Sequence, residues 1–207
     1  MTYTDLKEKL RDYLIFSLAD IRKIEADFDR RRLNEWQDKG YIKKIRRGFY
    51  IFSDSALSEP ALFLIANKLY PPSYISFEMA FSFYNLIPES VYGITSATTK
   101  KTISFKSQIG EFIYRKIKPS LMFGYKLENF QNQNYKIAEI EKAILDYLYI
   151  NPQIENEADF FELRFNAQEF LAKADMQRLN KYLAIFKNKS LEKRVEKFLN
   201  FIKSQKQ

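Results

Sequence analysis

Neither cysteine nor histidine occurs anywhere in the 207 residues. The missing cysteines exclude a disulfide framework and any thiolate-held metal. Without histidine there is no Ser-His-Asp or Cys-His arrangement, no zinc site of the usual kinds, and no imidazole general base. Glycine numbers only five, and no Gly-x-x-x-x-Gly-Lys phosphate loop is present. Negative charge is also short: 26 acids stand against 34 Lys and Arg, a net +8 that favours a polyanionic partner. No apolar run approaches the roughly 18 residues of a membrane span. Met1 to Asp12 is too polar for a signal peptide. A cytoplasmic protein with no membrane partner, no metal and no cofactor is the expectation.

What the chain does have is concentrated in Phe28 to Phe52, FDRRRLNEWQDKGYIKKIRRGFYIF. Phe28, Leu33 and Trp36 share one face at helical spacing, and Arg30, Arg31 and Arg32 cluster at the N-terminal end. Asp27 or Asp29 can cap the start, and Gly40 suits the left-handed residue that ends a helix. The period then switches to two. Tyr41–Ile45 and Phe49–Phe52 flank Arg46-Arg47-Gly48, which reads as a hairpin with a basic tip. Between Phe28 and Tyr50 there are eight Lys and Arg against three acids. A helix in a major groove needs cations near its first turns, and a hairpin tip reaching phosphate needs arginine. A solvated basic face on an ordinary small domain is the competing reading.

Upstream, Thr4–Leu14 is predicted as a helix capped by Thr4, and Ser17 with Asp20 as a capping box opening a second helix. Tyr13 and Trp36 are expected in the core. Helix, helix, basic helix and hairpin within 52 residues make a winged helix-turn-helix inventory. The polar break Ser53-Asp54-Ser55 divides the chain into a DNA-binding domain, 1–53, and a second domain, 54–207. In the latter, Glu59–Leu69 and Phe77–Leu86 read as helices. Ile94–Thr99, Thr102–Phe105, Glu111–Lys116 and Phe123–Leu127 read as strands. Helices follow from Ile137 to Tyr149 and over 167–173, 175–187 and 190–203. The predicted fold class is α+β: the winged helix-turn-helix, then a mixed α/β domain with a mainly antiparallel sheet and C-terminal helices.

This layout resembles the AbiEi family of antitoxins, the winged-helix halves of type IV toxin–antitoxin and phage-defence (abortive infection) operons. The residues that carry the resemblance begin with Leu33-Asn34-Glu35-Trp36-Gln37-Asp38-Lys39-Gly40-Tyr41-Ile42 and Arg46-Arg47-Gly48-Phe49-Tyr50. They continue through Tyr74-Ile75-Ser76-Phe77-Glu78-Met79-Ala80, Tyr84–Glu89, Ile94–Lys101, Ile117–Tyr125 and Ala138–Asp146. The match covers most of residues 15–150, and the tail after Pro152 carries little signature. The resemblance implies a repressor of its own operon. It would bind inverted operator repeats on double-stranded DNA as two copies, and counter an AbiEii-like nucleotidyltransferase toxin without a tight complex being required.

Lys43, Lys44, Arg46 and Arg47 are expected at phosphate or in the minor groove. Arg30, Arg31 and Arg32 stand about 100° apart around a helix, so they cannot all face one groove floor. Asn34 and Gln37 are the other candidate base readers, or else solvated face residues. A second basic stretch contains Lys100, Lys101, Arg115, Lys116 and Lys118. It either extends a nucleic-acid surface or lines the exposed face of a half-buried sheet. Glu141, Lys142 and Asp146 are the one set with a catalytic look, and a surface ion pair at four-residue spacing accounts for Lys142 and Asp146. No enzyme is expected. The chain contains no Glu-x-Lys of the common metal-dependent nucleases and no Gly-Ser of a nucleotidyltransferase. A basic protein- or RNA-interaction module without specific DNA recognition is the alternative function.

Overall fold

The computed structural model describes residues 1–89 and 91–205. The last two residues of the predicted second domain, 206 and 207, therefore lie outside it. The first helix, α1 (Tyr3–Lys9), opens on a box made by Thr2 and Asp5, each side chain accepting from the other's backbone N–H. The cap is thus Thr2, not Thr4, and the helix stops well short of Leu14. Leu6 and Leu10 pack under the N-terminal helices, whereas Leu14 and Ile15 belong to a different core, and the chain must turn between them. Strand β1 (Phe16–Ser17) was not anticipated. Helix α2 (Leu18–Ile24) starts on the Ser17–Asp20 box read from the sequence.

Helix α3 (Arg31–Asp38) turns Leu33 and Trp36 inward beside Phe28, and the Asp29 carboxylate accepts from the Arg31 N–H at 3.0 Å. Gly40, at φ +70°, ends it, with the Tyr41 N–H donating back to Trp36 at 2.9 Å. Strands β2 (Ile42–Arg46) and β3 (Phe49–Phe52) form the hairpin, and β1 completes a three-stranded antiparallel sheet in the order β1-β3-β2.

A bulge between Lys44 and Arg46 changes the strand's orientation. Ile42 packs under the helices, while Ile45 joins Ile15 and Ile51 in the core of the larger unit. The hairpin is therefore covered along both faces, clamped between the two units.

The larger unit opens with α4 (Glu59–Leu69), β4 (Ser73–Ile75) and α5 (Phe77–Phe83). Five strands interrupted by one 3-10 turn (Pro119–Leu121) follow. They are β5 (Ile94–Thr98), β6 (Ile103–Ser107), β7 (Gly110–Lys116), β8 (Tyr125–Phe130) and β9 (Gln133–Ala138). The rest is helical: α6 (Ile140–Ile150), α7 (Glu157–Glu162), α8 (Ala167–Lys173), α9 (Met176–Phe186) and α10 (Lys189–Ser204). The six-stranded sheet runs β6-β7-β5-β4-β9-β8. Three pairings are antiparallel and two, β5–β7 and β4–β9, are parallel, so the sheet is mixed and the class is α+β.

Strands β4 and β9 lie side by side within the sheet, yet neither was legible. All three residues of β4 are buried, so no alternation marks it. Strand β9 runs almost directly into α6, and its end was absorbed into that helix's apolar pattern. Helix α6 is itself buried from Ile140 through Leu148, charged residues included.

Candidate nucleic-acid interface

The five helix candidates divide by what the fold already asks of them. Arg30, Arg31 and Asn34 are exposed, and three- and four-residue spacing sets them on one side of α3. Arg32 is half-buried and its guanidinium donates to the Met1 carbonyl oxygen. The Gln37 amide donates to the Leu33 carbonyl at 2.9 Å within its own helix. Arg32 and Gln37 thus serve the fold first.

In the hairpin, Lys44 and Arg47 are exposed, Arg47 at the turn next to Gly48 (φ +86°). Lys43 is half-buried opposite Ile51, on the side facing the large unit. Arg46 is drawn the same way: its guanidinium carbon lies 4.6 Å from the centre of the Phe105 ring and 5.2 Å from that of Tyr70. Tyr13, expected in the core, is instead 40% exposed, with the Lys68 ammonium 5.8 Å from its ring.

The second basic stretch also splits. Lys100, Lys101, Lys116 and Lys118 are exposed. They gather at one end of the sheet, because β5 and β7 run parallel and pair Thr98 with Lys116. Arg115 turns away, pairing with Glu78 at 3.2 Å and lying over the Phe77 ring. Among the described residues, Arg30, Lys43, Lys44, Arg46, Arg47, Lys100, Lys101, Lys116 and Lys118 have no carboxylate within ion-pairing distance. Arg31 has only Asp29, at 3.9 Å. Unpaired cations on two adjoining surfaces are what a polyanion would meet.

Lys142 and Asp146 are not the surface pair their spacing suggested. Both are 0% exposed and ion-paired inside the large unit. The Lys142 ammonium donates to the Tyr74 hydroxyl oxygen at 2.7 Å. Tyr74 and Ser76 in turn donate to one Asp146 carboxylate oxygen, at 2.7 and 2.9 Å. Burial holds Lys142 below its ordinary pKa against the pull of Asp146, and burial pushes Tyr74 well above its own.

Gly124, at φ +69°, lies against the lysine stem, where an added Cβ would sit 3.0 Å from Lys142 Cγ. Four-residue spacing is the same for a solvated and a sealed pair; only the helices around α6 decide between them. Glu141 points elsewhere, accepting from the Asp175 N–H at 2.6 Å with Arg178 3.8 Å away. Sealed from solvent, the Lys142–Asp146 cluster offers no face for a substrate. Among the described residues no group of three or more potential ligands that could hold a metal occurs, and no helix is long and apolar enough to cross a membrane.

No protein-family model matches the chain, and no curated protein matches it.

Proposed function

We propose that this protein is a DNA-binding transcriptional repressor whose first 53 residues act as a winged helix-turn-helix. We propose further that it is the antitoxin of an AbiE-like type IV operon. The observation that carries the DNA-binding part is the set of unpaired cations on α3 and the hairpin: Arg30, Lys44 and Arg47, with Arg31 only loosely tied. In this reading α3 enters the major groove with Arg30, Arg31 and Asn34 toward base edges. An arginine-to-guanine pair there is worth roughly 1–3 kcal/mol of discrimination. Lys44 and Arg47 bind phosphate and set the salt dependence, with Lys43 contributing long-range attraction from its half-buried position. The roles in countering a nucleotidyltransferase toxin and in binding inverted repeats as two copies rest on the sequence resemblance alone.

One observation favours a second reading. The exposed Lys100, Lys101, Lys116 and Lys118 lie outside the N-terminal unit, where an RNA- or protein-interaction module would carry them. Binding of the full chain to the DNA upstream of its own coding sequence, and to an unrelated duplex of equal length, separates the two. The repressor reading expects preference for the upstream DNA, steep weakening with salt, and loss of most of that preference in an Arg30→Ala, Arg31→Ala variant. Equal binding to both duplexes, undiminished in the variant, would leave the interaction-module reading.

A further inference from the structure

Tyr70 receives a cation from each of the two units. The Arg46 guanidinium carbon comes from the hairpin and the Lys100 ammonium from the turn between β5 and β6. Each lies 5.2 Å from the centre of the ring. The two charges are therefore no more than about 10 Å apart. Two like charges repel, and here no carboxylate stands within ion-pairing distance of either to relieve them.

The platform under them is fixed. Tyr70 packs edge-on against Tyr114 with ring centres 5.1 Å apart, and Phe105, which also touches Arg46, stacks on Tyr114 at 6.1 Å. Tyr114 is fully buried and its hydroxyl donates to the Ala66 carbonyl at 2.8 Å. The Tyr70 hydroxyl donates to the Lys101 carbonyl at 3.2 Å, which ties the Lys100–Lys101 turn to the same ring.

Aromatic faces attract cations without neutralising them. A guanidinium held against rings keeps its full charge and loses little further freedom when it binds. A phosphate oxygen reaching either cation would form a charge-assisted hydrogen bond of about 2.7–2.9 Å.

We propose that Arg46 and Lys100, organised on Tyr70 and Phe105, form one binding site for a backbone phosphate of duplex DNA, shared between the hairpin and the large unit. Tyr70 and Phe105 are positioning residues in this site. The proposal rests on the DNA-binding reading above and adds that the duplex touches both units.

The test measures affinity for the upstream duplex across a salt series for the full chain and five variants: Arg46→Ala, Lys100→Ala, Tyr70→Ala, Tyr70→Phe and, as a hairpin control, Arg47→Ala. Thermal melting checks that each variant is folded. Loss of one phosphate contact lowers the slope of log affinity against log salt by about 0.9, which is expected for Arg46→Ala and for Lys100→Ala. Tyr70→Ala removes no charge, so it should weaken binding by roughly three- to tenfold with the slope unchanged. Tyr70→Phe, which keeps the ring and loses only the hydroxyl tie to Lys101, should weaken it by less. Lys100 is exposed, so its variant carries little folding risk; a wild-type slope and affinity in Lys100→Ala would overturn the shared site. If Arg47→Ala weakens binding in the same assay, the hairpin reading survives that failure. Absence of salt-dependent duplex binding by the wild type would overturn both.

Discussion

The core beneath α1–α3 is built of Leu6, Leu10, Phe16, Ile21, Phe28, Leu33, Trp36, Ile42, Tyr50 and Phe52. The core of the large unit instead encloses Glu141, Lys142, Asp146 and Arg194. The contrast follows from size. Ten residues cannot surround a charge with the partners its desolvation demands, so the small unit keeps its ionised groups at or near the surface. Some stand in ion pairs such as Lys23–Asp20, and others, Arg30, Lys44 and Arg47, have no carboxylate beside them among the described residues. The large unit wraps α6 on all sides and supplies Tyr74 and Ser76 to Asp146, and the Leu148 carbonyl to Arg194 at 3.0 Å. The small unit buries no charged side chain, whereas the large unit carries exposed lysines at one end of its sheet and builds other charges into its packing.

The sharpest way to break this contrast is Asp146→Ala. It strands a buried ammonium and two hydroxyl donors, and should cost about 3–5 kcal/mol in denaturant unfolding. A loss below about 1 kcal/mol would mean that water reaches the cluster. The double change Lys142→Met, Asp146→Leu should recover part of that loss, because neither charge is then left alone, while the Tyr74 and Ser76 hydroxyls still lack their acceptor.

Next in size is Ser17→Ala in the small unit, expected to cost about 1 kcal/mol through the lost cap. Burial alone would raise the Asp20 pKa, but hydrogen bonds from the Ser17 hydroxyl and N–H outweigh it and leave the carboxyl below its ordinary value. A depressed folded pKa means its stabilisation is present above the unfolded value, about 3.9, and fades as pH falls through the folded one. The stability gap between wild type and Asp20→Asn should therefore be widest near neutrality and close below about pH 4. A gap independent of pH would remove the ionised carboxylate from the account.

Smallest is Arg47→Ala. As an exposed cation with no carboxylate beside it, it should change unfolding free energy by no more than about 0.5 kcal/mol, whereas the proposed function expects it to weaken DNA binding. Destabilisation well beyond that would make Arg47 a structural residue and weaken the comparison.

The small unit was legible because its determinants are local. The Ser17–Asp20 box, the Leu33 and Trp36 spacing, Gly40 as a helix stop and Gly48 at the hairpin turn each act within a few residues. The error over α1 was one of competing local signals, where Thr2–Asp5 wins over Thr4. Strand β4 was hidden because a fully buried three-residue strand has no polar face to alternate with. The surface reading of Lys142 and Asp146 failed because their environment comes from residues up to 72 positions away in the chain. Among the candidate contacts, exposure of Arg30, Arg31, Lys44 and Arg47 agrees with their sequence pattern. The capture of Arg46 by Tyr70 and Phe105 had no sequence signal, since nothing in a hairpin's own residues says what lies behind it.

The sequence by itself determined the excess of cations, the absence of thiol and imidazole chemistry, and the elements from Ser17 to Phe52. These depend on composition and on interactions a few residues long. Only the tertiary structure decided which of those cations stay free. Among the described residues it left Arg30, Lys44 and Arg47 without a carboxylate while pairing Lys23 with Asp20, brought Arg46 and Lys100 to one ring, and closed α6 over Lys142 and Asp146. Burial and partnership are properties of what the chain brings together from a distance, and no periodicity along the chain encodes them.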